Sequence, residues 1–111
     1  MNRIRVYCAS EVPARSVAKI SSYSMSSRKF TIVKPNADNL SLAYLCFVPE
    51  LIPAGGTGYA YLNGVAVIDY SGSVSPGDKV GTKSGSWEVQ QSDAGNMICV
   101  GTESGYALVV I

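Results

Sequence analysis

The sequence predicts an all-β protein, a small barrel or compact β-sandwich of about 8–10 short strands with at most one short helical turn. Three observations carry this expectation. Short runs rich in Val, Ile and Tyr recur along the 111 residues, and clusters of Gly, Ser, Pro and Asp separate them. No window sustains a helix of several turns, because the helix-like stretches at 14–22 and 38–44 are short and rich in Ser, Val or Asn. So many short strands would expose many edges, and closing the sheet is the simplest way to remove them.

In chain order, strands are expected at residues 4–8, 16–20, 30–34, 42–48, 58–62, 65–70, 79–82, 86–90, 97–101 and 106–111. Asn63-Gly64 predicts a type I′ hairpin between two of these runs, since that turn needs positive φ at both central positions. In 65–70, alternation puts Val65, Val67 and Asp69 on one face and Ala66, Ile68 and Tyr70 on the other. Pro76-Gly77 sets a turn that Asp78 caps, while Ser84-Gly85 and Ser104-Gly105 mark two further reversals. Residues 42–48 are apolar on both faces, which suits a strand at the centre of the core or at a subunit contact. The run at 106–111 would leave apolar side chains and backbone groups exposed unless another element covered it. Residues 1–10 read as an N-terminal strand or arm, and 11–111 as a single barrel or sandwich domain.

Composition narrows the function. Charged residues make up 15% of the chain and the net charge is +1, so no field of either sign recruits nucleic acid or an anionic membrane. Low charge leaves a neutral exterior suited to lying against other protein. Cys8, Cys46 and Cys99 form no C-x-x-C pair, and each sits in an apolar run. Buried free thiols, assembled in a reducing compartment, are expected. The opening residues carry charge without a following apolar run, so no signal peptide is expected, and no stretch approaches a membrane span.

No catalytic, metal or cofactor site is expected. The chain has no histidine, which removes the commonest general base and imidazole metal ligands. Glu11, Glu50, Asp69, Asp78, Glu88 and Glu103 lie near strand ends or turns, where solvated charge is the default. Ala54-Gly55-Gly56-Thr57-Gly58 lacks the Lys-Ser/Thr and following helix of a phosphate loop, so it reads as a backbone turn. Trp87 with Tyr59, Tyr61, Tyr70 and Tyr106 has the chemistry of an aromatic platform for sugars or apolar partners.

Four segments carry a resemblance. Glu11-Val12-Pro13-Ala14, Lys34-Pro35, the stretch Pro53-Ala54-Gly55-Gly56-Thr57-Gly58, and Pro76-Gly77-Asp78 followed by Val80-Gly81-Thr82-Lys83-Ser84-Gly85-Ser86-Trp87 resemble a segment of small virion proteins of tailed bacteriophages. The similarity spans residues 11–101. It implies a head decoration (cement) protein: a β-rich subunit, usually a homotrimer, assembled in the host cytoplasm and bound to the major capsid protein on the outer capsid surface. Contact candidates are then Ile4 and Val6 in the N-terminal segment, Tyr44 and Phe47 in 42–48, and Tyr59, Tyr61 and Trp87. The alternative is a tail, collar or spike component that binds host glycan through the aromatic face.

Overall fold

The computed structural model describes residues 3–110 and is all-β. Ten strands form: β1 (Arg3–Cys8), β2 (Ser16–Ser24), β3 (Lys29–Val33), β4 (Leu45–Val48), β5 (Gly56–Tyr61), β6 (Val65–Asp69), β7 (Lys79–Thr82), β8 (Val89–Gln91), β9 (Met97–Glu103) and β10 (Tyr106–Val110). A single 3-10 turn, Leu42–Tyr44, precedes β4, with the Ser41 hydroxyl accepting from the Ala43 amide. The expected strand at 42–48 is therefore half turn and half strand. Its capping Ser competes with extended pairing, so the backbone becomes extended only from Leu45.

Two sheets result. β1-β3-β2-β4-β5 closes into a barrel, and β6-β10-β9-β7-β8 forms a five-stranded sheet beside it. The N-terminal strand is one of the barrel's wall strands, parallel to β3 and antiparallel to β5, the latter over all six of its residues. Residues 1 and 2 of the expected arm, and Ile111 of the last run, lie outside the described residues.

Asn63-Gly64 does not make the expected hairpin. Gly64 has a φ of 108°, but Asn63 is absent from the positive-φ residues, and β5 and β6 belong to different sheets. β5 already has β1 along one edge and meets β4 at Tyr61, so the chain leaves the barrel at this point. Ser104 and Gly105, with φ of 46° and 88°, supply both positive values and join β9 to β10. The Pro76-Gly77 turn forms as expected: Gly77 has a φ of 94°, and the Asp78 carboxylate accepts from the Ser75 amide at 2.9 Å.

The core has two chambers that share a wall. Inside the barrel lie Val6, Val12, Ala18, Ile32, Cys46 and Val48 with their neighbours. Between barrel and second sheet, Val17, Leu45 and Phe47 meet Ile68, Val80, Met97, Val109 and others. Alternation on β4 sends Cys46 and Val48 inward and Leu45 and Phe47 outward, so all four are buried. Its expected place at the centre of the core is where it stands. Backbone bonds lace the same seam, from the Val17 amide to the Trp87 carbonyl at 3.0 Å and from the Asp69 amide to the Arg15 carbonyl at 2.9 Å.

Cys8, Cys46 and Cys99 are buried free thiols. Burial, with a smaller contribution from nearby Cys8, pushes the Cys46 thiol up to about 12. An unfolded thiol ionises near about 8.5, so this contribution to stability is complete below that pH and is lost as pH rises towards the folded value. Wild type is expected to lose up to about 2 kcal/mol more than Cys46→Ala between pH 8 and pH 10, measured by urea unfolding. At Gly95 a Cβ would run into the Val80 backbone, which cannot rotate away as a side chain would. Gly95→Ala is expected to cost about 1–3 kcal/mol or more, read as a lowered urea midpoint.

Candidate interaction face

β6, β10 and β9 lie side by side, and alternation divides their side chains cleanly. Ala66, Ile68, Ala107, Val109, Met97 and Cys99 pack into the core between the sheets. The opposite face carries Val65 and Val67 from β6, Leu108 and Val110 from β10, and Ile98 and Val100 from β9, with Tyr106 at one end. All seven are between 38% and 56% exposed, an apolar field where a half-buried sheet would ordinarily be polar. Val65 pairs with Val110 and Val110 with Ile98, while Val67 pairs with Leu108, so the field is continuous across the three strands.

Two recesses indent it. Gly101 faces Leu108 across the ladder and contributes no side chain, leaving a hollow of about 260 Å³ bordered by Val67, Tyr106 and Leu108 and, at one end, by Thr102 and Glu103. The register shifts beside it, with Leu108 opposite Gly101 and Val109 opposite Cys99, which makes Val100 the extra residue of a bulge. The second recess, about 340 Å³, runs along the outer edge of β6, between Val65 and Val67 on one side and Phe47, Pro49 and Tyr61 on the other.

Hydrogen bonding shows which backbone groups face that recess. The Tyr70 amide bonds to Gly105 at the β10 side, and the Asp69 amide bonds to Arg15 on the far side. Both groups of a strand residue point the same way and successive residues alternate, so Val65 and Val67 turn theirs away from β10. Among the described residues no strand pairs with them there.

Charge borders the face at both ends: Lys79 lies opposite Ile98, and Asp69 and Glu103 lie on either side of Tyr106. Arg15 Nε donates to Asp69 Oδ1 at 3.0 Å, and the guanidinium carbon lies 4.3 Å from the centre of the Tyr106 ring. The hydrogen bond to Asp69 raises the Arg15 guanidinium above its ordinary value, with desolvation opposing it. Arg15 and Asp69 thus satisfy each other.

The residues expected as contacts fall elsewhere. Val6 is fully buried inside the barrel and Phe47 is buried between the sheets, so neither is a surface contact; both sit on strands whose inward face is core. Ile4 is half-buried against the barrel core. Tyr44 is exposed in the 3-10 turn. Tyr59 and Tyr61 line a cleft of about 420 Å³ with Arg3, whose guanidinium lies 4.3 Å from the Tyr59 ring centre. Trp87 is half-buried against the barrel core and borders a different cleft, with Lys34 Nζ 5.7 Å from its ring centre. The aromatics therefore do not gather into one platform. Sequence reasoning placed Val65 and Val67 on one face but named none of Val65, Val67, Ile98, Val100, Leu108 and Val110 as contacts. Unbroken apolar character in the last run was the available signal.

No family model matches the chain, and no curated protein does so at a significant level. Among solved structures, the chain is similar to the head fiber gp8.5 N base in bacteriophage phi29, with a TM-score of 0.71 over 99% of this chain and 93% of that chain. The two are 15% identical, so the likeness is one of fold.

The division of the β6 side chains can be checked by stability alone. Ile68→Ala is expected to cost about 2–5 kcal/mol through the cavity it leaves. Val67→Thr, on the opposite face, is expected to cost well under about 1 kcal/mol in the same urea titration.

Proposed function

We propose that the chain is a structural subunit of a tailed-phage virion, a decoration (cement) protein that binds the major capsid protein on the outer surface of the shell. The carrying observation is the fold shared with a phage head fiber base along nearly the whole length of both chains. The resemblance carried by the segments around Pro53-Ala54-Gly55-Gly56 and Pro76-Gly77-Asp78 supports it, and both segments form turns: Gly55 and Gly77 hold φ of 72° and 94°, and the Gly56 amide closes the first turn on the Pro53 carbonyl at 2.8 Å. The subunit assembles in the host cytoplasm, as a homotrimer in the form this role favours.

Binding free energy does the work, without a reaction or cofactor. An assembled shell loads the junctions between its subunits, and a rigid body lying across a junction must be removed before that junction opens. Standard interfaces bury about 1,200–2,000 Å² in total, and their net affinity is what remains after lost rigid-body freedom is offset. Repetition around a shell multiplies a modest contact, because copies joined to one another engage neighbouring sites at high effective concentration. Glycan binding through a shared aromatic platform has less support, since Trp87 and the tyrosines border separate clefts.

Purified protein mixed with expanded capsids is expected to co-sediment to a fixed saturating ratio and to raise the temperature at which the capsids rupture. Absence of saturable binding to expanded capsids would overturn the assignment.

A further inference from the structure

We infer that a second copy of this chain covers the outer face of β6, β10 and β9. The inference builds on the virion-subunit reading and adds which face joins the copies. Its first support is area. At about 150–200 Å² for a fully exposed residue of this size, the seven exposed apolar residues present roughly 500 Å² per copy. A stable interface takes about 800 Å² from each partner, and its centre is about 65% apolar. The field therefore has the dimensions of the apolar centre of one such interface.

Chemistry then selects the occupant. The backbone groups of Val65 and Val67, unpaired among the described residues, face the 340 Å³ recess, and the groups that match a strand edge are those of another polypeptide. Val65, Val67, Ile98, Val100, Leu108 and Val110 are themselves uncharged; the charges stand at the rim, Lys79 opposite Ile98, Glu103 opposite Tyr106, and Arg15 paired with Asp69. A charged field demands an opposite one, but a field with an uncharged centre and both signs of charge at its rim is complementary to itself. The hollow at Gly101 gives the face a socket beside the projecting Leu108 and Val100, so the same surface offers both partners of a side-chain fit.

Geometry allows closure. Three strands spaced about 4.8 Å apart make a strip about 14 Å wide; three such strips around an axis stand about 4 Å from it, close to half the roughly 10 Å spacing of packed sheets. Two copies face to face fill the same spacing. Either arrangement buries the field, and the trimer is the one the virion role favours.

The full chain, purified without capsids, is expected to run as an oligomer in size-exclusion chromatography with light scattering and to dissociate on dilution. Leu108→Glu and Val67→Lys, made separately, are each expected to weaken self-association at least about 30-fold, as central apolar contacts do. Tyr59→Ala on the barrel is expected to leave it unchanged. Added sulfate is expected to strengthen the association, as it does for apolar burial. Should a charged variant fail to fold, Leu108→Cys provides an independent readout. The native thiols are buried, so mild oxidation is expected to link copies through position 108, whereas Tyr59→Cys is expected not to link them. A wild type that is monomeric at every concentration overturns the inference, as does an oligomer that both charged variants preserve or that position 108 cannot cross-link. A monomer that binds capsids removes this face and leaves the virion role standing. An oligomer that ignores capsids does the reverse.

Discussion

Everything in this fold leans on β4 being buried from both sides. Four consecutive residues, Leu45 to Val48, alternate between the barrel interior and the chamber under the second sheet, and all four are buried. Each such side chain contributes about 1.5–3 kcal/mol on burial, a large share of the net stability of a domain this small. Losing Phe47 would loosen the second sheet, and losing Val48 would loosen the barrel. Because the strand is one backbone, it also transmits any displacement of either chamber to the other.

Sharing a wall explains how a short chain holds two sheets. Neither the barrel nor the five-stranded sheet has room for a thick core of its own, and a single layer of Val17, Leu45 and Phe47 serves as the floor of one and the outer surface of the other. A buried hydroxyl at the seam is satisfied locally. Thr82, fully buried, donates its hydroxyl to the Ala37 carbonyl at 3.0 Å and accepts from the Leu40 amide at 2.9 Å. Economy on the inside has a consequence on the outside. The inner face of β6, β10 and β9 is spent on the shared core, while their outer face, also apolar, is covered by nothing among the described residues. Protein assembly is the ordinary way such a surface is removed from water.

Turns and local patterns were legible because their causes are local. Pro76-Gly77-Asp78 forms the turn its residues require, since Pro sets φ, Gly takes the left-handed position and Asp reaches a neighbouring amide regardless of what surrounds them. Asn63-Gly64 has equally good hairpin chemistry and did not become one. Its two flanking strands found better partners, β1 for β5 and β10 for β6, so the dipeptide serves as a passage between sheets. Ser104-Gly105, a weaker signal, closes the tightest hairpin because β9 and β10 stay together. Local propensity offers a conformation, and long-range pairing decides whether it is used as a turn within a sheet or a bridge between two.

From residues alone came the strand-rich class, the positions of most of the short runs (86–90 shrank to Val89–Gln91), the buried thiols and the two-faced character of β4, because all of these follow from which side chains avoid water and which backbones can bend. Only the assembled structure decided that β1 is a wall strand of the barrel, that Val6 and Phe47 are core, and that Val65, Val67, Ile98, Val100, Leu108 and Val110 share one open face. Period-two alternation divides a strand into two sides, but the side that turns to solvent depends on strand order and on which sheet lies above. Those are contacts between residues far apart in the chain, and no short stretch of sequence contains them.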